Sequence, residues 1–503
     1  MALVDPRFVL LEARLVLSFV LLLEARFVFE VCLSKIFTPF DHYYSYLYAK
    51  YTNLYQESMY LMDLPQNFKN KMEKILGKEY QSFIDCYSEP YYRGIRLNTL
   101  KCNEKTLKAS LPFPITRAPF SPVSYYIPHQ SPKIGLLPMH HAGAFYSQEP
   151  SAASAVTALA PQPGEKVLDL CAAPGGKSTQ IAALLDGNGL LWSNEIVRSR
   201  ANVLLSNIER IGVKNTVVSS CHPEVLCTGL AGYFDKVLVD APCSGEGMFR
   251  RDEQAVQDWS QEHVEACAVR QLAILRSAAH ALKENGVLVY STCTFSPEEN
   301  EGVVSGFLQD RDDFALIDCM EQYGRPALLP KARRIFPMDG GEGHFIAVMQ
   351  RLSKNNAYPA PYSLQNISMK DMAEDLYHQI FQNRISGMIE RIGDSFLLLP
   401  DELPYLKGLG VIRAGVLFGE AKKNRIEPAH AAFMAAKPQE LNFLIDLPHD
   451  SEQISAFLRG EEIEADVSFR GFAGVAVDGV LTGFGKCSNG RLKNRYPKGL
   501  RNN

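Results

Sequence analysis

No two of the eleven cysteines in this 503-residue chain stand at Cys-x-x-Cys or another zinc-ligand spacing, which argues against a structural zinc module. Cysteines so scattered in a long chain point to reduced thiols in the cytosol rather than to a disulfide framework. Charge of one sign is not in excess either. A net charge of −4 argues against a protein that coats a polyanion with its whole surface, so any nucleic-acid contact has to be local. With 46% hydrophobic and 21% charged residues, the chain lacks the bias of a disordered or repetitive protein.

A long uninterrupted apolar run is also missing. The most apolar stretch, Phe8 to Val31, is broken by Glu12, Arg14, Glu24 and Arg26, which leaves only Leu15 to Leu23 uncharged. A bilayer-spanning helix needs about 20 residues. Acids on both sides of the stretch, and no small-residue cleavage site after it, speak against a signal peptide. The segment Leu10-Leu11-Glu12-Ala13-Arg14 recurs as Leu22-Leu23-Glu24-Ala25-Arg26. We read 1–61 as a leader outside the fold, with a native start at Met62, and expect a cytosolic monomer with no metal and no membrane contact.

The length sets a prior of about three domains. After Leu64 an amphipathic pattern (Phe68, Met72, Ile75, Leu76) predicts a helix, and Tyr91 to Asn98 reads as a turn and strand. Cys102 to Tyr146, rich in Pro, Tyr and His, is expected to be an irregular connecting layer, so 62–145 forms one N-terminal unit. A regular alternation follows. Strands are predicted at Lys166 to Leu170, Leu190 to Glu195, Val217-Val218, Lys236 to Asp240 and Val287 to Ser291. Helices are predicted at Ser178 to Leu185, Arg198 to Ile211 and Val264 to Leu282, and a late apolar strand at His344 to Gln350 is expected to close the sheet edge. The region 146–352 is therefore an α/β, doubly wound sheet with ligands at the carboxyl ends of its strands. A linker is expected over 353–368, an intermediate domain over 369–435, and a last domain with Gly-rich hairpins over 436–503.

The run Asp169-Leu170-Cys171-Ala172-Ala173-Pro174-Gly175-Gly176-Lys177-Ser178 turns from a strand into a helix through glycines. It is not a P-loop: Cys171 stands where the first Gly is needed, and Pro174 removes an amide that phosphates would use. Gly-x-Gly-x-x-Gly is absent as well. A close backbone approach beside the Asp169 carboxylate suits the cationic amino-acid end of S-adenosylmethionine, and Glu195, ending the second strand, suits ribose hydroxyls. Taken singly, the glycines read as a tight turn and Glu195 as a helix-capping acid; in this order they support each other.

Asp240-Ala241-Pro242-Cys243-Ser244-Gly245 ends the fourth strand and Ser291-Thr292-Cys293-Thr294 the fifth, so both cysteines project over the cofactor edge. Carbon 5 of cytosine becomes nucleophilic once a thiolate adds to carbon 6. One cysteine can attack, a nearby group can assist release, and Asp240 can hold the base edge and favour protonation of its ring nitrogen. The plainer alternative is that Cys243 and Cys293 are small buried hydrophobes, which is how Cys86, Cys102, Cys171, Cys221, Cys227, Cys267, Cys319 and Cys487 read. A disulfide between the two is disfavoured by the cytosolic composition.

From about Leu64 to Arg501 the chain resembles the Sun/NOP family of RNA cytosine-5 methyltransferases, in its bacterial RsmF-like ribosomal-RNA branch. The resemblance rests on Gln148-Glu149-Pro150-Ser151-Ala152, the cofactor loop, Asp240 to Phe249, Tyr290 to Asn300, Gly341-Glu342-Gly343-His344-Phe345 and Tyr496-Pro497-Lys498-Gly499-Leu500-Arg501. It implies Cys293 as nucleophile, Cys243 in product release, Asp240 on the target base, and S-adenosylmethionine held by Cys171, Ala172, Ala173, Pro174, Gly175, Gly176, Lys177, Glu195 and Asp240. It also implies an RNA-recognition unit before a Rossmann-like methyltransferase domain and a PUA-like domain after it, with ribosomal RNA as partner. Two positions depart from the family pattern: Ser220-Cys221-His222-Pro223 where an acid near the adenine is usual, and Met338 where a His often stands. Transfer RNA is the alternative substrate, and a non-catalytic RNA-binding assembly factor the alternative class. A DNA cytosine methyltransferase would instead use Cys243 as nucleophile. Two basic clusters, Lys422-Lys423 with Arg425, and Lys486, Arg491, Lys493, Arg495, Lys498 and Arg501, read by themselves as a solvated loop and a frayed tail, with phosphate contact as the alternative; in light of the resemblance the tail reads as an RNA contact.

Overall fold

Five strands alternate with helices and run parallel: β1 (Lys166–Asp169), β2 (Leu190–Asn194), β3 (Thr216–Ser219), β4 (Phe234–Asp240) and β5 (Leu282–Thr292). Each is apolar on both sides because successive residues enter different cores. Val167, Leu191, Val218, Leu238 and Val289 face one core, and Leu168, Trp192, Val217, Val237 and Leu288 the other. Their spatial order is β3-β2-β1-β4-β5, so the winding reverses between β1 and β4 and opens a crevice at their carboxyl ends. The computed structural model describes residues 64–319, 323–355, 357–363, 369–382 and 388–502, all within the unit Met62–Asn503. The leader expected over 1–61, the start at Met62 and part of the linker 353–368 lie outside the described residues.

Both flanks of the sheet differ from expectation. Strand β6 (His344–Arg351) pairs antiparallel with β5 but does not close the sheet, because Arg333–Ile335 and Phe314–Ile317 pair along its other side. Its six buried residues in a row suit an inner strand. On the far edge β7 (Val411–Ala414), drawn from the region after the linker, pairs antiparallel with β3. Leu409 and Ala414 enter the catalytic core with it.

The stretch expected to be irregular is partly a sheet. Thr116–Arg117, Ser124–Tyr126 and Phe145–Ser147 join Gly94–Leu97 in four antiparallel strands. Strands of two to four residues are too short to show an alternation in sequence, and only their distant partners make them strands. The helix Gln66–Leu76 buries Phe68, Met72 and Leu76 among Phe249, Trp259, Phe295 and Phe336, directly beneath the loops that follow β4 and β5.

Beyond the linker lie a four-stranded sheet containing Val416–Lys422 and Arg425–Pro428, and a five-stranded sheet containing Gly471–Val477 and Val480–Ser488. The second shares a core with the N-terminal sheet, where Ile95, Leu97 and Phe145 meet Val475, Val477 and Leu492. The chain end is not frayed: Tyr496 is buried, and its hydroxyl lies 2.7 Å from His141 Nδ1, whose Nε2 lies 2.8 Å from Asn502 Oδ1. Among the described residues no helix is long and apolar enough to cross a membrane.

Candidate active site

Asp169 ends β1 fully buried. Its Oδ2 accepts from Ser178 Oγ at 2.7 Å, while its Oδ1 has no partner. Burial pushes the carboxyl up to about 7 against the lowering effect of that hydrogen bond. An orphaned carboxylate oxygen of this kind fits the ammonium of an amino-acid end. The chain then turns at Gly175 (φ 114°), where a Cβ would stand 3.1 Å from Leu204, and enters the helix Gly176–Leu185.

The loop is held from outside. Asn207 Nδ2 donates to Pro174 O at 2.9 Å and Arg200 Nη2 to Ala173 O at 3.2 Å, both from the helix Arg198–Ile211. From the N-terminal sheet, buried Arg96 donates to Gly176 O at 3.1 Å, Thr179 Oγ1 at 2.7 Å and Gln148 Oε1 at 2.8 Å. Nothing in the sequence around Arg96 marks it for this role.

Glu195 follows β2, buried, with Oε1 accepting from Val197 N at 3.0 Å and Oε2 3.1 Å from Arg200 Nη1. Ile196 and Val197 beside it are 55% and 45% exposed, an apolar surface that a flat ring can cover. Asn194 ties three strand ends together, donating to Leu170 O and Cys221 O and accepting from Ser219 Oγ. His222, at the departure from the family pattern, is exposed and accepts from Glu224 N at 3.4 Å, capping the helix Pro223–Gly229.

At the ends of β4 and β5 the sulfurs of Cys243 and Cys293 lie 3.2 Å apart, and both thiols are free, so the disulfide considered from sequence is not formed. The contact with the Cys293 sulfur, and then burial, push the Cys243 thiol well up, so it keeps its proton at neutral pH. Asp240 Oδ2 pairs with Lys177 Nζ at 2.7 Å and its Oδ1 accepts from Ser291 Oγ at 2.7 Å. Burial alone would raise Asp240, but Lys177 and those hydrogen bonds prevail and hold it below the usual carboxylate range. Burial would likewise lower Lys177, yet Asp240 and then Cys293 keep it charged. Lys177, assigned from sequence to the cofactor loop, thus faces the cysteines and Asp240. His344 is neutral, since burial takes it down to about 4, and its Nδ1 lies 3.1 Å from Ser151 Oγ.

Two buried acids that the sequence reading did not single out fix the cysteine loops. Glu246 Oε1 accepts from Trp259 Nε1 at 2.9 Å and Ser296 Oγ at 2.6 Å, and its Oε2 from Thr294 Oγ1 and Phe295 N, each at 2.8 Å. Glu299 accepts from Ser244 N at 3.0 Å, Ser244 Oγ and Gln271 Nε2 at 2.7 Å. Gly247 N donates to Cys293 O at 2.8 Å, so the two loops are joined directly. Read alone, an acid in a polar loop looks solvated. Burial with several donors becomes visible only when the loops meet.

Comparison with known proteins agrees with this architecture. Residues 156–350 match the family described as 16S rRNA methyltransferase RsmB/F, and 64–150 the N-terminal domain of 16S rRNA methyltransferase RsmF. Residues 374–435 match the RsmF first C-terminal domain and 445–502 the RsmF PUA domain. Similar relatives are the ribosomal RNA small subunit methyltransferase F of Psychromonas ingrahamii, 32% identical over 87% of this chain and 97% of that protein, and of Vibrio campbellii, 33% identical with the same coverage. Among solved structures, a methyltransferase homolog protein from Pyrococcus horikoshii matches with TM-score 0.52 and 30% identity over 58% of this chain and 96% of its own. NSun6 from the same organism, solved with the S-adenosylmethionine analogue SFG, matches in fold with TM-score 0.53 and 24% identity over 58% of this chain and 100% of its own.

Proposed function

This chain belongs to the ribosomal RNA small subunit methyltransferase F family, and from that premise we propose that it methylates carbon 5 of a cytosine in ribosomal RNA through a covalent adduct at Cys293. It is an S-adenosylmethionine-dependent RNA methyltransferase. The observation that carries the finer reading is the pair of sulfurs 3.2 Å apart beside Lys177–Asp240, with one thiol of the pair held protonated.

S-adenosylmethionine supplies an electrophilic methyl group when bound; Asp169 and the Cys171 to Lys177 loop would hold its amino-acid end, and Glu195 with Ile196 and Val197 its nucleoside. Cys293 attacks carbon 6 as thiolate, forming a carbon–sulfur bond and passing the electron pair of the 5,6 double bond to carbon 5, which takes the methyl group. Asp240, ionised, accepts from the amino edge of the base and stabilises the proton that the ring nitrogen takes from water as Cys293 adds and returns to water on release. Lys177 offsets the charge of the thiolate and of Asp240.

Release requires a base for the carbon 5 proton, and the asymmetry of the thiols provides one. The Cys293 sulfur is the largest cause that raises Cys243. Once Cys293 is bonded to carbon 6 its sulfur is a neutral thioether and a weaker hydrogen-bond partner for Cys243, which then gives its proton to water more readily. The resulting thiolate takes the proton from carbon 5, the double bond re-forms, and Cys293 leaves as thiolate.

The test is methyl transfer from labelled cofactor to total cellular RNA by the wild type, Cys293→Ala and Cys243→Ala. Label in 5-methylcytosine of small-subunit RNA that disappears with Cys293→Ala, and an RNA adduct surviving denaturing electrophoresis with Cys243→Ala, are expected. Label surviving Cys293→Ala moves the nucleophile elsewhere, and label confined to transfer RNA moves the substrate.

A further inference from the structure

The two basic clusters, far apart in sequence, meet at one cavity. Arg495 Nη1, from the chain end, lies 3.5 Å from Glu427 Oε2, and the same carboxylate accepts from Arg425 Nη2 at 2.7 Å. Between the strands Val416–Lys422 and Arg425–Pro428 on one side and Gly471–Val477 and Val480–Ser488 on the other is a cavity of about 330 Å³. This is the lower end of ligand-pocket size, enough for one nucleotide and too small for a duplex.

Its apolar wall is made by Leu417, Pro428, Ala429 and Pro497 with two aromatics, half-buried Phe472 and buried Phe484. Phe484 is fixed by stacking on Phe433 at 4.2 Å and 6°, and half-buried Phe472 stands 6.2 Å from it with one face against Lys486 Nζ at 5.7 Å. Lys422 and Arg495 line the opening, 47% and 42% exposed, with Glu420 and Glu427 beside them. Lys422 pairs with Glu420 at 2.9 Å and Arg495 lies beside Glu427, so the two acids of the lining are matched by its two cations, and Arg425 on Glu427 and Lys486 on Phe472 add positive charge next to it. Each carboxylate oxygen can accept two hydrogen bonds, so both acids retain capacity for an exocyclic amine. His430 adds a neutral ring, since burial and then Lys101 take it down to about 3.

We propose that this cavity is a second RNA contact that holds one unstacked, amino-bearing nucleotide of a single-stranded segment. The aromatic face stacks the base, the acids accept from its amine, and the surrounding cations meet its phosphates. That the RNA is also the methylation substrate rests on the function proposed above; the cavity's affinity for a single strand does not.

The experiment is fluorescence anisotropy of the full-length protein with labelled short oligoadenylate, oligocytidylate and oligouridylate and an RNA duplex, alongside methyl transfer to total RNA. Saturable binding of oligoadenylate and oligocytidylate, weaker for oligouridylate and duplex, is expected. Phe472→Leu and the pair Lys422→Glu with Arg495→Glu should each weaken it about tenfold while thermal unfolding and cofactor affinity by calorimetry stay at wild-type values. Equal binding by wild type and variants, equal binding of oligouridylate, or no oligonucleotide binding as for a site that takes an acidic peptide, overturns the proposal. Normal methyl transfer beside any of these leaves the catalytic reading standing, and its loss with binding retained does the reverse.

Discussion

Replacing Glu246 by Gln tests whether a buried carboxylate, rather than the cysteine loops themselves, sets the geometry of the thiol pair. Glu246 is fully buried and accepts from four donors, two on each oxygen. The Ser296 and Thr294 hydroxyls can rotate to accept from an amide, but the Trp259 indole N–H and the Phe295 backbone N–H cannot. Whichever way the Gln amide is turned, its NH₂ faces one of those fixed donors and leaves it unsatisfied. An orphaned buried donor costs about 1–3 kcal/mol, and exchanging charge-assisted bonds for neutral ones about 1 kcal/mol more, so the substitution should cost about 3 kcal/mol. For a catalytic domain of this size that lowers Tm by roughly 6–12 °C. The loop that shifts carries Cys293, and a displacement of about 1 Å at a reacting group costs on the order of a hundredfold in kcat. Differential scanning calorimetry and single-turnover methyl transfer are the assays, with Glu298→Gln as control, since the Glu298 pair with Lys71 is partly exposed and worth about 1 kcal/mol or less. A Glu246→Gln protein melting within about 2 °C of wild type with full kcat would refute the reasoning.

Gly343 has φ 145°, and a Cβ there would stand 2.6 Å from Phe295 Cζ and 3.1 Å from Gly247 Cα; Gly343→Ala should therefore lose stability by about 2 kcal/mol and most of kcat with little change in cofactor affinity, measured by urea unfolding and calorimetry. His430 has a folded value of about 3 against an ordinary 6.5, so below pH 6.5 the unfolded chain binds the extra proton and stability falls with pH. His430→Phe removes that penalty, and the difference in unfolding free energy from wild type should move in the variant's favour by about 1.4 kcal/mol per pH unit from pH 6 to pH 4; a difference independent of pH contradicts the burial of a neutral ring. A chain ended after Arg351 lacks β7 and exposes the β3 edge, and it should associate in size-exclusion chromatography more than the full chain at the same concentration.

How much was legible beforehand differs by element. The helix Arg198–Ile211 stands as its periodicity predicted, because its stripe Ala201, Leu204, Ile208 and Ile211 is local information. The passage from β1 through the Gly175 turn into the helix Gly176–Leu185 was legible because strand, glycine turn and helix are consecutive. The four-stranded N-terminal sheet was not, since strands as short as Thr116–Arg117 carry no pattern of their own. The pairing of Lys177 with Asp240 was not legible, because the two residues stand 63 positions apart and come from different elements.

The sequence by itself determined the alternation of strands and helices, the glycine turn after β1, and the presence of two cysteines at adjacent strand ends, because each is written in consecutive residues. Tertiary structure alone decided that Cys243 keeps its proton, that Lys177 answers to Asp240, that Arg96, Glu246 and Glu299 hold the loops, and that the region after the linker completes the catalytic sheet. Those outcomes depend on burial and on partners from distant segments, and neither a proton's affinity nor a buried acid's satisfaction is a property of one stretch of chain.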